Sequence, residues 1–459
     1  MENVTLAVAA IFSVSVLFAR PPYALAAYII CLLWYPNYLA VSVGTIDIFA
    51  SRIVVVMLFL RCLSDGRIQN NFKWSKLDYI VLLSMIVYVV TYCLAVQTSK
   101  AIENRGGFLL DTWFAYMVVR YIVTDRATLV TVIKCAAPAL GLLAILGVVE
   151  SVTLWQPFAP LMRFCPWLPS APLSMSIEEI RFGFGRAIGP FSHSILFGCG
   201  FAIFLPLVYY LRHEKGFWRS SAYVFSGLAL LGALSSMSSG PWVMTIVVTF
   251  CLAMERHKVW VKPLCILAVL SCIFVAIASN RPFYHVIAEK ANPLGGSSWH
   301  RARLIDLAIA HFDEWWLVGY GEQDPGWGPE LGSGDFTDVT NEFVLAGVSY
   351  GIFGMIALCA VLATAFRCLI RVQKDRSDPR LVSLSWALFS ILLALIVTWM
   401  SVSFFGQLMP LSYFVLGAIG SIDHISRVPR TLSMNDNRKL AVRRKRGRTI
   451  KNGCIDNHR

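Results

Sequence analysis

Four arginines sit in two polar stretches of an otherwise apolar chain: Arg181 and Arg186 in one, Arg301 and Arg303 in the other. The guanidinium is planar, permanently charged and forked, which suits bidentate binding of phosphate or diphosphate oxygens. The plain alternative is pairing with loop carboxylates such as Glu178, Glu179 or Asp306, and exposed pairs of that kind contribute little. The run Asp338-Val-Thr-Asn341-Glu342 opens a long apolar stretch. Its first residues suit a helix cap, while Glu342 enters the apolar run, where an ionisable group is a site candidate and a carboxylate can serve as general base. His193, in Gly189-Pro-Phe-Ser-His193-Ser194, offers a side chain that titrates near neutrality; a structural role is the alternative. Ser235-Ser-Met-Ser-Ser-Gly-Pro241 reads as a tight turn whose small residues let helices approach.

The elements that must position these groups are membrane spans. The 459 residues are 57% hydrophobic and 15% charged, with a mean hydropathy of +0.63, whereas soluble domains carry about 25% charged residues. Apolar runs long enough to span hydrocarbon cover 4–19, 22–43, 46–62, 77–96, 107–123, 127–149, 191–211, 221–236, 241–255, 262–279, 342–367, 381–402 and 409–425. The pattern predicts an all-α, polytopic integral membrane protein with twelve or thirteen transmembrane helices; Pro21, Pro22 and Pro36 leave the first two runs open to a broken hairpin. Lys and Arg gather in alternate connections, for example Arg61 to Lys76, Arg120 with Arg126, Arg212 to Arg219, and Arg367 to Arg380. By the positive-inside rule those face the cytoplasm, as does the C terminus.

The reading is thus one transmembrane domain over 1–425, with long outer connections at 150–190 and 280–341, and a basic tail at 426–459. The second connection is acidic and begins with a helical pattern in which Leu304, Leu307, Ala308, His311 and Trp315 recur on one face. Trp315 and Trp316 suit a helix at the membrane–water interface. A Gly/Pro-rich stretch from Gly319 to Gly334 follows and reads as a flexible loop. Of the net charge of +13, the residues from Arg427 on contribute +9; such a tail suits anionic lipid, and no nucleic-acid partner is expected. No Walker A sequence, dinucleotide fingerprint, HExxH or metal-ligand spacing occurs, so neither cofactor nor metal is expected.

The order of these parts resembles the O-antigen ligase and O-antigen polymerase superfamily of bacterial envelope enzymes. Members carry Arg-x-x-Gly-x-φ-x-His-Pro before a span, matched by Arg186-Ala-Ile-Gly-Pro-Phe-Ser-His193-Ser. They carry Ser-x-Ser-Arg-Gly between later spans, against Ser236-Met-Ser-Ser239-Gly240, and an arginine ahead of Gly-x-Gly, against Arg301 and Gly319-Tyr-Gly321. They then show His-Asn and paired glycines after an apolar stretch, against Thr340-Asn341 with Gly351 and Gly354. Thr340 stands where ligases have histidine and Ser239 where arginine is frequent; the missing histidine weakens the ligase reading more than the polymerase reading. The resemblance covers roughly 105–420.

What the resemblance implies is glycan transfer at the outer face of the bacterial inner membrane, with no nucleotide donor and no metal. The donor would be an oligosaccharide on undecaprenyl diphosphate; the acceptor would be a glycan on a second lipid-linked repeat, or lipid A core in a ligase. Membrane lipids and other polysaccharide-assembly proteins are the further partners. On this reading Arg186 and Arg301 clamp the diphosphate, with Arg181 and Arg303 beside them, and Asn341 orients a sugar hydroxyl. Asp338, Glu342 or His193 takes its proton, and the loop from Gly319 and Gly321 folds over the acceptor chain. A lipid-linked oligosaccharide transporter is the rival from another class. Transporters place charges mid-span and break helices symmetrically in two halves, and neither is visible in the sequence.

Overall fold

The computed structural model describes residues 1–43, 46–69, 72–165, 180–279, 282–290, 298–332, 334–375 and 378–427. The basic tail from 428 on, and Glu178 and Glu179, lie outside the described residues. Helices dominate because in hydrocarbon each backbone N–H and C=O must be satisfied within its own segment. The order is α1 (Glu2–Phe18), α2 (Pro21–Trp34), β1 (Ala40–Val43), β2 (Ile46–Phe49), α3 (Ala50–Ser64), α4 (Gly66–Gln69) and α5 (Lys76–Val96). Next, α6 (Ser99–Leu109) continues through a π-helical turn (Leu110–Phe114) into α7 (Ala115–Ile122), followed by α8 (Arg126–Thr153). Two short strands, β3 (Ile180–Arg181) and β4 (Phe184–Gly185), precede α9 (Ser194–Tyr210), α10 (Phe217–Ser235), α11 (Ser239–Ala253) and α12 (Val261–Ala278). The polar island holds α13 (Phe283–Lys290), α14 (Ser298–Ala310), α15 (Phe312–Trp315) and α16 (Gly328–Leu331). The chain closes with α17 (Glu342–Lys374), α18 (Pro379–Trp399) and α19 (Leu408–Arg427).

Six of these helices are long and apolar enough to cross a membrane: α5, α8, α9 with its 3-10 extension to His213, α17, α18 and α19. The protein is an all-α, multi-pass membrane protein. Contacts between helix ends fix the directions. At one end Thr5 meets the Tyr35 hydroxyl, Tyr92 donates to Glu322, Arg105 to the Tyr350 hydroxyl, and Gln407 to the Pro190 carbonyl. At the other, Arg61 donates to the Val16 carbonyl, Arg120 pairs with Asp78, Arg126 with Glu214, and Arg371 with Asp423. Successive long helices therefore alternate in direction. The N terminus shares the first end, here the island end, and Arg427 lies at the opposite, tail end.

The structure corrects the sequence reading in four places. The run 22–43 is not one span: α2 stops at Trp34, ahead of Pro36, and Ala40–Val43 pairs antiparallel with Ile46–Phe49. Proline lacks the N–H that a continuing helix needs, and Val41, Val43, Ile46 and Ile48 favour a pleated surface. The island helix is broken at His311, although its predicted face is real: Leu304, Leu307, Ala308 and Trp315 are buried with Trp327, Leu331 and Val348 in a small core of their own. The glycine-rich stretch is folded rather than loose. Asp324 accepts hydrogen bonds from Gly326 N (2.7 Å), Thr337 N (2.8 Å) and Thr337 Oγ1 (2.5 Å), pinning the ends of the turn together. Burial raises the Asp324 pKa, but these donors outweigh it and hold the carboxyl below its usual range. Finally Arg120, counted above among the basic connections, is 3% exposed and forms a buried pair with Asp78 (2.6 Å).

Candidate active site

The turn between α10 and α11 is the floor of the site. Met237 adopts φ +44, uncommon for a residue with a side chain, and its carbonyl accepts a hydrogen bond from Arg181 Nη1 at 3.3 Å. Ser238 Oγ accepts from Arg186 Nη2 at 3.1 Å, donates to the Ser236 carbonyl at 2.9 Å, and lies 3.3 Å from Ser194 Oγ. Arg181 is placed by the β3–β4 hairpin, in which Arg181 pairs with Phe184 across Phe182 and Gly183, both at positive φ. That is the backbone a two-residue hairpin turn needs.

Arg301 arrives from α14 and donates Nε to the Ser401 carbonyl at 3.0 Å; its Nη groups take no hydrogen bond among the described residues. Burial, with the charge of Arg181 behind it, pulls the Arg301 pKa down, while Asp338 pulls it up. The structure thus brings Arg181, Arg186 and Arg301 together from two connections more than a hundred residues apart in sequence. His193 joins them in a different capacity. Its Nδ1 accepts the Ile195 N–H at 3.1 Å as the cap of α9. Burial, and then Arg186 and Arg181, push its pKa down to about 4. A neutral imidazole whose Nδ1 is already an acceptor carries its proton on Nε2, so it can donate but is poorly placed to take a proton.

The linker between α18 and α19 ties the rest together. The Met400 carbonyl accepts from Asn341 Nδ2 (3.0 Å), the Ser401 carbonyl from Arg301, and Phe404 N donates to Glu342 Oε2 (2.8 Å). Three residues of extended chain span at most about 11 Å, so Arg301 and Glu342 belong to one neighbourhood. Asn341 is 2% exposed, and its Oδ1 caps α17 by accepting from Phe343 N and Val344 N; one amide N–H remains for a ligand. Glu342 lines a cavity of about 160 Å³ with Tyr88, Tyr350, Trp399 and Tyr413. Asp338 is exposed, and its charge reaches Arg301.

Three predicted residues are engaged elsewhere. Arg303 pairs with Glu330 of α16 at 2.8 Å, with side chains 39% and 50% exposed, so it is a half-exposed pair within the island. Gly319 and Gly321 serve backbone packing. A Cβ on Gly319, at φ +77, would lie 2.6 Å from the Val348 carbonyl oxygen, and one on Gly321 would lie 2.7 Å from Val96. The cause is a break in α17 at Gly351 (φ +72, ψ −178). The opened turn is satisfied from outside: Tyr320 N donates to the Val348 carbonyl at 2.7 Å and Ile352 N to the Trp316 carbonyl at 2.8 Å. Irregular backbone at membrane depth is tolerated where protein satisfies it in this way.

Two contributors escaped the sequence reading. The linker 400–407 overlaps the end of the predicted span 381–402 and the short gap before 409–425, and nothing in its composition marks it. Glu150, fully buried in α8, accepts Ile188 N and Gly189 N, both at 2.9 Å, and so holds the loop that carries Arg186 and His193; in the sequence it is the first residue after the run 127–149, where a carboxylate reads as the start of a connection. Among the described residues no group of three His, Cys, Asp or Glu side chains is placed to hold a metal ion. No protein-family model matches this chain, and no curated protein compared with it is similar.

Proposed function

We propose that the protein is a glycosyltransferase of the bacterial inner membrane that polymerises oligosaccharide carried on undecaprenyl diphosphate. The observation that carries this reading is the convergence of Arg181, Arg186 and Arg301 on one turn and one linker at the island end. The order of motifs resembling the O-antigen polymerase and ligase superfamily adds support, and the Lys/Arg-rich connections favour an orientation with the island outside and the tail in the cytoplasm. An acceptor hydroxyl oxygen attacks the anomeric carbon of the donor, and the bond from that carbon to the diphosphate oxygen breaks. The hydroxyl proton passes to a carboxylate, for which Asp338 beside Arg301 is the choice and Glu342 the second. Lipid diphosphate leaves with its negative charge facing guanidinium groups fixed in advance, the arrangement that lowers the barrier most.

A transporter of the same lipid-linked glycan is the second reading, favoured by the break in α17, since discontinuous helices mark transporter sites. Surface glycans and extracted lipid-linked sugars separate the two. In the organism that carries the chain, a deletion and the deletion complemented with Arg301→Ala should both show single repeats in place of a glycan ladder, with the variant present at normal level. Full-length chains accumulating on lipid diphosphate would indicate a ligase. Repeats trapped on the cytoplasmic side would indicate a transporter, and a normal ladder with Arg301→Ala removes the clamp.

A further inference from the structure

The cavity of about 160 Å³ beside Glu342 is walled by rings from five helices: Tyr88 of α5, Phe108 of α6, Tyr350 of α17, Trp399 of α18 and Tyr413 of α19. Glu342 is the one charged residue among the described residues that line it. One of its oxygens accepts the Phe404 N–H at 2.8 Å. The other takes no hydrogen bond, and the carboxylate no ion pair, among the described residues. The hydroxyls of Tyr88 and Tyr413 likewise take no hydrogen bond there, and the charge of Glu342 reaches both. Buried polar groups are ordinarily satisfied, so three oxygens without a partner around one cavity mark a place for a donor. Arg105 touches two of the rings but is engaged. It donates to the Tyr350 hydroxyl at 2.8 Å and to Asn104 Oδ1 at 2.6 Å, and it lies 3.7 Å from the centroid of the Tyr92 ring. The plain alternative is that Glu342 only fastens the 400–407 linker to the start of α17, where a carboxylate also suits the helix dipole. That role accounts for neither the second oxygen nor the two hydroxyls.

A carboxylate without a partner in surroundings of low dielectric calls for a cation. The walls say which kind. Ring faces carry the negative end of a quadrupole and attract organic cations. A calcium ion asks instead for about six or more oxygens, and among the described residues no three His, Cys, Asp or Glu side chains are grouped to hold a metal. A cavity of about 150 Å³ admits benzene, so a small organic ion fits the space. We propose that this cavity binds an alkylammonium group. Its three N–H donors meet Glu342, Tyr88 and Tyr413, and its carbon chain lies against the rings of Phe108, Tyr350 and Trp399. The group belongs to a free amine or to the headgroup of an aminophospholipid, which share this chemistry. The site goes beyond the transfer reaction proposed above and does not depend on it. A carboxylate that holds an ammonium takes up no proton, which leaves Asp338 as the base of that reaction.

Saturation-transfer NMR on the detergent-purified full chain at neutral pH, with n-propylammonium and n-propanol as probes, tests this. The two share a carbon chain and differ in charge. Wild type should bind propylammonium at least about tenfold more tightly than propanol. Glu342→Gln keeps an oxygen for the Phe404 N–H and should weaken propylammonium at least about tenfold. Tyr413→Phe keeps the ring, loses the hydroxyl and should weaken it about threefold. Asp335→Asn, which removes an exposed carboxylate of the island, should leave it within about twofold. Native mass spectrometry with equal amounts of phosphatidylethanolamine and phosphatidylglycerol separates the two sources. Retention of phosphatidylethanolamine that is lost in Glu342→Gln assigns the ammonium to a lipid; propylammonium binding with equal retention of both lipids assigns it to a free amine. Melting temperatures establish that each variant is folded, and the wild-type preference for ammonium over alcohol is a test that needs no variant. No binding of propylammonium, equal binding of propanol, unchanged binding in folded Glu342→Gln, or equal loss in Asp335→Asn would each overturn the proposal.

Discussion

His193 shows how a residue type can suggest one chemistry and its surroundings enforce another. Its histidine chemistry is legible in the sequence; the two neighbouring arginines and the cap are not, because they are brought in by the fold. The folded-state pKa of about 4 lies below the ordinary 6.5, so the folded protein binds this proton less readily than the unfolded chain does. The stability that follows is complete above about pH 6.5 and declines as the pH falls towards 4. At about 1.4 kcal/mol per pH unit it amounts to roughly 3–4 kcal/mol at most. His193→Asn keeps a good cap and should flatten that acid-side decline in thermal unfolding while leaving transfer activity at neutral pH within about tenfold. A loss of a hundredfold or more from a folded His193→Asn protein would restore histidine as the base. Arg301, Arg186 and Arg181 stood out for a simpler reason: on the sequence reading they fall in outer connections, where positive charge stands against the usual bias. Arg303 carried the same signal, but its partner Glu330 lies across the island, and sequence spacing does not reveal that.

At the scale of elements, the apolar runs were readable because each must bury a span's length of hydrocarbon-facing surface, and breaks inside them were not. Gly351 was noted only as one of a pair of glycines, yet it opens α17 so that Val348 and Ile352 bond to the island backbone. Its backbone conformation is essentially restricted to glycine, and an added Cβ would collide with the Leu317 carbonyl. Gly351→Ala should therefore destabilise the protein by at least about 2 kcal/mol, read as a lower melting temperature with early proteolysis within 316–321. An unchanged melting temperature would show that the helix can close without the island. Glu150 positions a neighbouring element in the same manner, through two backbone N–H groups. Glu150→Gln retains an oxygen acceptor and Glu150→Ala does not. The glutamine variant should keep most transfer activity and the alanine variant should lose it at normal folded yield. Equal behaviour of the two would remove the positioning role.

Taken whole, the molecule has two chemically different ends, and the alternation of its helices decides which segments share each. The N terminus shares the island end because Thr5 meets Tyr35 there, while the end of α1 meets Arg61 at the opposite end. With twelve passes, one of the first two apolar runs would not cross, and the N terminus would lie with the tail. The sequence left that choice open because the two prolines of α2 suit the first turn of a new helix as well as a bend within one. In the structure α1 and α2 run in opposite directions beside α3 and α8. Single cysteines at Glu2 and Asp335, at the island end, and at Ser220, at the tail end, convert this into a measurement. A membrane-impermeant maleimide applied to intact spheroplasts should label Glu2→Cys and Asp335→Cys, and should label Ser220→Cys only after lysis. Labelling of Glu2→Cys with the Ser220 class would mean that the first helix does not cross. Asp335→Cys labelled only after lysis would turn the molecule over, placing Arg181, Arg186 and Arg301 on the cytoplasmic side, where the proposed acceptor glycan is not displayed.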